Sequence, residues 1–248
     1  MKTRKRFGQH FLHDPGVLQR IVEAIGPAPG DAIVEIGPGE GALTRPLLER
    51  IGHLTAIEID RDLAAGLARE FSSARLTVAT ADVLDFDFSV LPAGLRIVGN
   101  LPYNISTPIL FHLARHAGRV RDMHFMLQRE VVQRMVAQHS TPDYGRLSVM
   151  LQTRFRMQKL FNVAPGAFRP PPKVESAVVR LVPLSGVSIP ENFADIVRKA
   201  FSARRKTLRN ALGLSPRDFE ELALDPKLRP ENLSPADYLR ITQRVCAR

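Results

Sequence analysis

The sequence predicts an α/β fold: a Rossmann-like, doubly wound sheet of mostly parallel strands, followed by a small all-helical C-terminal domain. Three observations carry this. As far as Leu127, short continuous apolar runs alternate with amphipathic stretches of helical period, the pattern of strands buried on both faces and the helices that cover them. The rhythm then changes to two β-like segments joined by a proline-rich link. Beyond Pro183 the period is helical to the end.

Taken in order, the expected strands of the first part are Ala32 to Ile36, Leu54 to Ile59, Leu76 to Ala79, Arg96 to Gly99 and Met123 to Leu127. Val17 to Ile25 repeats apolar residues at helical spacing and stops at Gly26-Pro27. Leu43 to Ile51, Arg61 to Glu70 and Pro108 to Ala117 read the same way. Such alternation folds as right-handed βαβ units. Arg154 to Val163 and Ser176 to Val182 then read as an antiparallel pair at the sheet edge. Leu184 to Pro190 reads as a linker. Helices are expected at Asn192 to Ser202, Arg204 to Leu212, Pro216 to Ala223 and Pro235 to Val245. The domain boundaries implied are 1–183 and 190–248.

With 248 residues, 44% of them hydrophobic and 24% charged, the chain is long enough for a sizeable core and is neither collagen-like nor disordered. No apolar run approaches the ~18 residues of a membrane span, and the basic stretch Met1 to Phe11 lacks the apolar segment of a signal peptide. A cytoplasmic protein without a membrane partner is expected. The lone Cys246 permits no internal disulfide, and the seven histidines show no ligand spacing, so no metal site is expected. Lys plus Arg number 35 against 25 Asp plus Glu, a net charge of +10. From Leu184 onward twelve basic residues face eight acidic ones, so both parts of the chain share the excess. Such a field concentrates polyanions, and nucleic acid is the leading partner; an arginine-rich composition with no such partner is the competing account.

The most specific local signal is Val34-Glu35-Ile36-Gly37-Pro38-Gly39-Glu40-Gly41, a glycine turn between a buried strand and a helix. Twenty-one residues past Gly37, at the end of the second strand, stands Glu58, suited to accept hydrogen bonds from both hydroxyls of a ribose. Asp82 follows the third strand and can serve an adenine amino group. Any adenosine-bearing ligand fits this edge. The spacing Gly-x-Gly-x-Gly departs from the dinucleotide fingerprint Gly-x-Gly-x-x-Gly, and Glu40 would oppose a pyrophosphate by charge. S-adenosylmethionine, which has no pyrophosphate, is therefore favoured over NAD.

Gly99-Asn100-Leu101-Pro102-Tyr103-Asn104 forms a polar, proline-bent turn beside that edge. The lone pair of an adenine amino nitrogen is delocalised into the ring, so alkylating it requires acceptors that hold its hydrogens and favour a tetrahedral nitrogen. Asn100 and the Leu101 carbonyl can serve, and Tyr103 can stack on a base taken out of its helix. Phe168, in Ala167-Phe168-Arg169-Pro170-Pro171-Pro172-Lys173-Val174, is a candidate second ring opposite Tyr103. An ordinary β-turn and a core phenylalanine are the competing accounts. Arg198, Lys199, Arg204, Arg205, Lys206 and Arg209 fall within twelve residues that contain no acid. With Lys2, Arg4, Lys5 and Arg6 they can hold RNA phosphates, unless they are only a solvated helix surface.

These residues resemble the signatures of the ribosomal RNA adenine dimethyltransferase family. The likeness rests on Arg4-Lys5-Arg6-Phe7-Gly8-Gln9-His10-Phe11-Leu12, the glycine turn, Gly99 to Ser106, Phe168 to Val174, and Arg204-Arg205-Lys206-Thr207-Leu208-Arg209-Asn210. Within the family it is greatest to bacterial members that dimethylate two adjacent adenosines near the 3′ end of small-subunit (16S) ribosomal RNA. The resemblance implies a class I S-adenosylmethionine-dependent methyltransferase sheet, with the cofactor and target base in 1–183 and RNA binding in 190–248. It places cofactor contacts on His10, Leu12, Gly37, Glu58, Asp82 and Asn100. It places the target base on Asn100, Leu101, Tyr103 and Phe168, with Pro102 in the same turn counted among the catalytic residues; the charge reading, not the resemblance, assigns RNA phosphates to Arg4, Lys5, Arg6, Arg204, Arg205, Lys206 and Arg209. Many relatives carry Asn where His10 stands. The implied partner is 16S ribosomal RNA within an immature small subunit, met by a monomer that acts in subunit biogenesis. A resistance-type enzyme acting on large-subunit RNA and an assembly factor that keeps the fold without catalysis are the alternatives.

Overall fold

The computed structural model describes residues 10–246. Its contacts divide the chain into two compact units, 1–132 with 157–183, and 133–156 with 184–248.

The first unit is built on a seven-stranded sheet. In chain order its strands are β2 (Ile33–Ile36), β3 (Leu54–Glu58), β4 (Leu76–Thr80), β5 (Leu95–Asn100), β6 (Val120–Gln128), β7 (Phe155–Val163) and β9 (Ser176–Pro183). A separate two-residue pair joins β1 (Phe11–Leu12) to β8 (Phe168–Arg169), antiparallel, with Leu12 opposite Phe168. The sheet order is β4-β3-β2-β5-β6-β9-β7. From β4 across to β6 each strand runs parallel to its neighbours, and β9 runs antiparallel to β6. The late strands therefore do lie at the sheet edge, but β9 inserts beside β6 and leaves β7 outermost.

Helices α1 (Pro15–Ile25), α2 (Thr44–Leu48), α3 (Arg61–Glu70) and α4 (Ser106–Arg115) connect the strands. Local chemistry sets their ends. The Asp14 side chain accepts from Val17 N–H at 2.9 Å, Pro15 opens α1 without needing a donor, and Gly26 closes it in the left-handed region. Asp60 caps α3 through the N–H groups of Asp62 and Leu63. Ile21, Val22 and Ile25 of α1 pack with Leu47 and Leu48 of α2 and with Ile33, Val98, Met126 and Val178 of the sheet.

A buried ion cluster holds the end of the sheet away from the glycine turn. The Arg96 guanidinium donates to both Asp122 oxygens at 2.9 Å, to Asp31 at 2.8 Å, and to the carbonyls of Ile25 and Gly26 that end α1. All of its donor nitrogens are engaged, which is what a buried guanidinium requires.

The second unit packs α6 (Arg146–Gln152), α7 (Phe193–Ser202), α8 (Leu208–Leu212), α9 (Pro216–Leu222) and α10 (Pro235–Cys246), with α5 (Arg129–Val136) leading into it from β6. Residues 133–156 thus join the helical unit, whereas the sequence grouped them with the first domain. The reason is burial: Tyr144 and Val149 lie in one apolar cluster with Phe193, Val197, Phe219 and Tyr238, and the Tyr144 hydroxyl donates to Leu233 O at 2.8 Å. A second correction concerns the basic run. α8 begins only at Leu208, because Thr207 is extended, and Arg204, Arg205 and Lys206 occupy a turn instead of a helical face.

Candidate active site

At the carboxyl ends of β2 to β6 the first unit encloses a cavity of about 870 Å³. His10, Leu12, Gly37, Glu58, Asp82, Asn100, Leu101, Pro102 and Tyr103 all line it. It thus brings together every cofactor and target-base residue expected from the sequence except Phe168.

The glycine turn leaves β2 with Gly37 and Gly39 at φ of +64° and +58°, conformations that L side chains rarely adopt. At Gly37 a Cβ would meet nothing within 4 Å, so the backbone is open above the turn; at Gly39 it would press on the Phe11 ring at 3.0 Å. Gly39 N–H donates to Glu58 Oε2 at 3.1 Å, and Asp60 N–H to Oε1 at 2.9 Å. Only 2% exposed, Glu58 is held by these bonds, but burial outweighs them and pushes its carboxyl above the ordinary range. Each oxygen has used one lone pair on backbone, and each keeps another for a ligand. Two adjacent acceptors on one rigid carboxylate match a ribose diol. Asp82 is positioned by Leu84 N–H, which donates to Oδ1 at 2.9 Å.

Asn100 ends β5. Its Nδ2 donates to the His10 carbonyl at 2.9 Å, which commits the amide nitrogen to the chain and leaves Oδ1 as the group free to accept. Leu101 N–H bonds to Met126 O at 3.2 Å, tying the start of the turn to β6. Tyr103 shares a 2.6 Å hydrogen bond with Ser176 Oγ, and burial raises its phenol above the ordinary value. The His10 ring lies with its centroid 5.7 Å from that of Tyr103, tilted by 30°. Because a carbonyl only accepts, the 2.7 Å contact of His10 Nδ1 with Pro170 O places the proton on Nδ1.

Two expectations change here. The Phe168 ring is 1% exposed, packs in the apolar cluster with Leu12, Val163, Ala167 and Val178, and is not among the residues that line the cavity. A base clamp would require that ring to leave its packing. Among the basic residues, Arg204 donates to Pro142 O at 2.9 Å and pairs with Glu231 at 3.4 Å, while Arg205, Lys206 and Arg209 are exposed. Arg4, Lys5 and Arg6 lie outside the described residues.

Sequence reasoning passed over Glu35 and Ser176. Glu35 lies fully buried in the middle of β2, accepts from the Thr44 hydroxyl at 2.6 Å and lines the cavity. Burial, reinforced by nearby Glu58, pushes its pKa up to about 7. The signal was available: a carboxylate inside a four-residue apolar strand breaks the pattern of its neighbours. Among the described residues, no group of three or more His, Cys, Asp or Glu side chains is placed to hold a metal ion. Nor is any helix long and apolar enough to cross a membrane.

The strand order separates this sheet from the dinucleotide-binding fold, whose six strands run in the order 3-2-1-4-5-6 and end without an inserted antiparallel strand. With its cavity at the strand ends, it is the fold of the class I S-adenosylmethionine-dependent methyltransferases. More narrowly, the chain belongs to the Ribosomal RNA adenine dimethylase family, whose profile it matches over residues 1–246. It is 58% identical over 253 residues to the Ribosomal RNA small subunit methyltransferase A of Aromatoleum aromaticum, a match covering 100% of this chain and 96% of that one. Among solved structures it is similar to a dimethyladenosine transferase from Plasmodium falciparum, with a TM-score of 0.84 and 26% identity over 96% of this chain and 98% of that one. The 23S rRNA methyltransferase ErmE gives a TM-score of 0.73 and 28% identity over 95% and 99%.

Proposed function

We propose that the protein transfers methyl groups from S-adenosylmethionine to N6 of two adjacent adenosines near the 3′ end of 16S ribosomal RNA, giving N6,N6-dimethyladenosine. The single observation that carries the chemistry is the Asn100 carboxamide, whose nitrogen is committed to the His10 carbonyl so that Oδ1 is left to accept. The small-subunit target is supported by the name of the 58% identical relative.

The residues present fit the cofactor. Glu58 offers two acceptors for its ribose, Asp82 an acceptor for its adenine amino group, and the open backbone at Gly37 room for close approach. His10 and Leu12 line the same cavity. When bound, the cofactor supplies a methyl group on a sulfonium that leaves as a neutral thioether. Asn100 Oδ1 and the Leu101 carbonyl then accept the hydrogens of the adenine amine and draw its nitrogen toward a tetrahedral, nucleophilic geometry. No base is needed before attack, since the nitrogen sheds its proton once the new bond has formed. Tyr103 offers its ring face to the displaced base, and Pro102 fixes the bend that presents it.

The first unit binds cofactor and target, while Arg204, Arg205, Lys206 and Arg209 of the second, and separately the N-terminal Arg4, Lys5 and Arg6, hold RNA phosphates. The enzyme works as a cytoplasmic monomer on an immature small subunit, in its biogenesis. The test is tritium transfer from labelled S-adenosylmethionine to undermethylated small subunits, followed by nucleoside mass analysis. N6,N6-dimethyladenosine in 16S RNA is the expected product. Label in large-subunit RNA alone, or binding without transfer, overturns the reading.

A further inference from the structure

Both reactive side chains of the Asn100 to Tyr103 turn are held from outside it. Asn100 is held by the His10 carbonyl, and the His10 ring in turn by Pro170 O. Tyr103 is held by Ser176. Pro170 lies in the link that follows β8, and Ser176 is the residue at which that link ends and β9 begins.

Ser176 is fixed more firmly than a link residue needs to be. It is the first residue of β9, registered against Gln128 at the end of β6, and fully buried. One residue earlier, Glu175 accepts Arg129 N–H at 2.9 Å through its carbonyl and pairs with the Arg129 guanidinium through its side chain. The hydroxyl of a buried serine needs a partner, and the partner here is a ring at the cavity wall. This bond takes one of the phenol's hydrogen-bonding positions and fixes the direction of its C–O bond. What Tyr103 presents is its face, at an angle set by Ser176.

We propose that Ser176 is a positioning residue for the methyl-transfer reaction: by holding the Tyr103 hydroxyl it fixes the ring plane against which the target adenine stacks. The proline-rich link then serves the site through the Pro170 carbonyl and by setting where β9 begins, at Ser176, rather than through Phe168. This inference rests on the reading that Tyr103 faces the target base.

The test is a double-mutant cycle of Ser176→Ala and Tyr103→Phe, with Tyr103→Ala beside it. Methyl transfer to undermethylated small subunits is measured at saturating S-adenosylmethionine, together with cofactor affinity and thermal unfolding. If Ser176 acts through the phenol, each single change raises KM for the subunit by roughly 2- to 12-fold, the range of one net hydrogen bond. The loss falls in KM because stacking is made before the chemical step, cofactor affinity is retained, and the double variant is no worse than either single one. Losses that multiply in the double variant, or Ser176→Ala kinetics at the wild-type level with only a lowered melting temperature, overturn the proposal. Unimpaired transfer by Tyr103→Ala would instead overturn the reading of Tyr103 on which the proposal rests.

Discussion

Replacing Glu35 by Gln changes how stability depends on pH, and the size of the change follows from where the carboxyl sits. Burial lifts its pKa from the ordinary 4.5 to about 7. At about 1.36 kcal/mol per pH unit, ionising the folded form costs about 3.4 kcal/mol more than ionising the unfolded chain. Because the folded pKa is the higher one, the stabilisation is complete below pH 4.5 and is lost as pH rises through about 7. Integrated between pH 5 and pH 8, the loss is about 2.5 kcal/mol. Gln keeps an acceptor for the Thr44 hydroxyl and cannot ionise; any unmatched amide hydrogen adds only a pH-independent offset. His124 titrates in the opposite sense. Burial lowers its pKa to about 4, so its contribution is lost as pH falls from 6.5 toward that value and partly masks Glu35 in the wild-type profile. The difference between wild type and Glu35→Gln removes that background. Urea unfolding followed by circular dichroism from pH 5 to pH 8, without cofactor, measures it. A gap that shifts by about 2.5 kcal/mol in favour of the variant is expected; parallel profiles would refute the reasoning.

Asn100→Ala removes the acceptor aimed at the amine and should lower kcat by about 10²- to 10³-fold with cofactor affinity largely kept, as single-turnover assays and equilibrium binding will show. Arg96→Ala leaves the buried Asp122 carboxylate with the longer Arg180 contact, at 3.6 Å, as its remaining arginine partner and frees the end of α1, a loss of about 3 kcal/mol, the low end for breaking a buried pair, to be read from the denaturant midpoint at unchanged slope. Replacing exposed Arg205 and Lys206 by Ala should weaken RNA binding and reduce the slope of log K against log salt by about 1 for each phosphate no longer neutralised, measured between 50 mM and 200 mM salt.

The parallel half of the fold was legible because both faces of its strands are covered, so Ile33–Ile36 and Leu54–Glu58 stand out as apolar runs between polar turns. What escaped depends on partners remote in sequence. The two-residue strands Phe11–Leu12 and Phe168–Arg169 carry no periodic signal and exist only because each supplies the other's hydrogen bonds. Helices Arg129–Val136 and Arg146–Gln152 went unassigned between two stronger strand patterns. The apolar face of the second, with Tyr144 just before it, has its core made by chain more than forty residues further on. At Arg204 to Lys206 the composition suits a helix, yet the extended Thr207 starts the helix later.

At the site, strand ends and turn chemistry gave Gly37, Glu58, Asp82 and Asn100, since each follows a strand that could be read locally. Aromatic roles were harder. A phenylalanine beside prolines and a tyrosine within a turn are equally eligible to stack, and only burial separates them: Phe168 is packed away at 1% exposure, while Tyr103 stays at the cavity wall with its hydroxyl bonded. Nothing in the order of residues says that Ser176, 73 positions away, is what bonds it. That separation is why the proline-rich link reads from sequence as the bearer of a functional ring. In the folded chain the link brings a carbonyl and the residue that ends it a hydroxyl, groups present in almost any loop, and their use depends on where β9 begins.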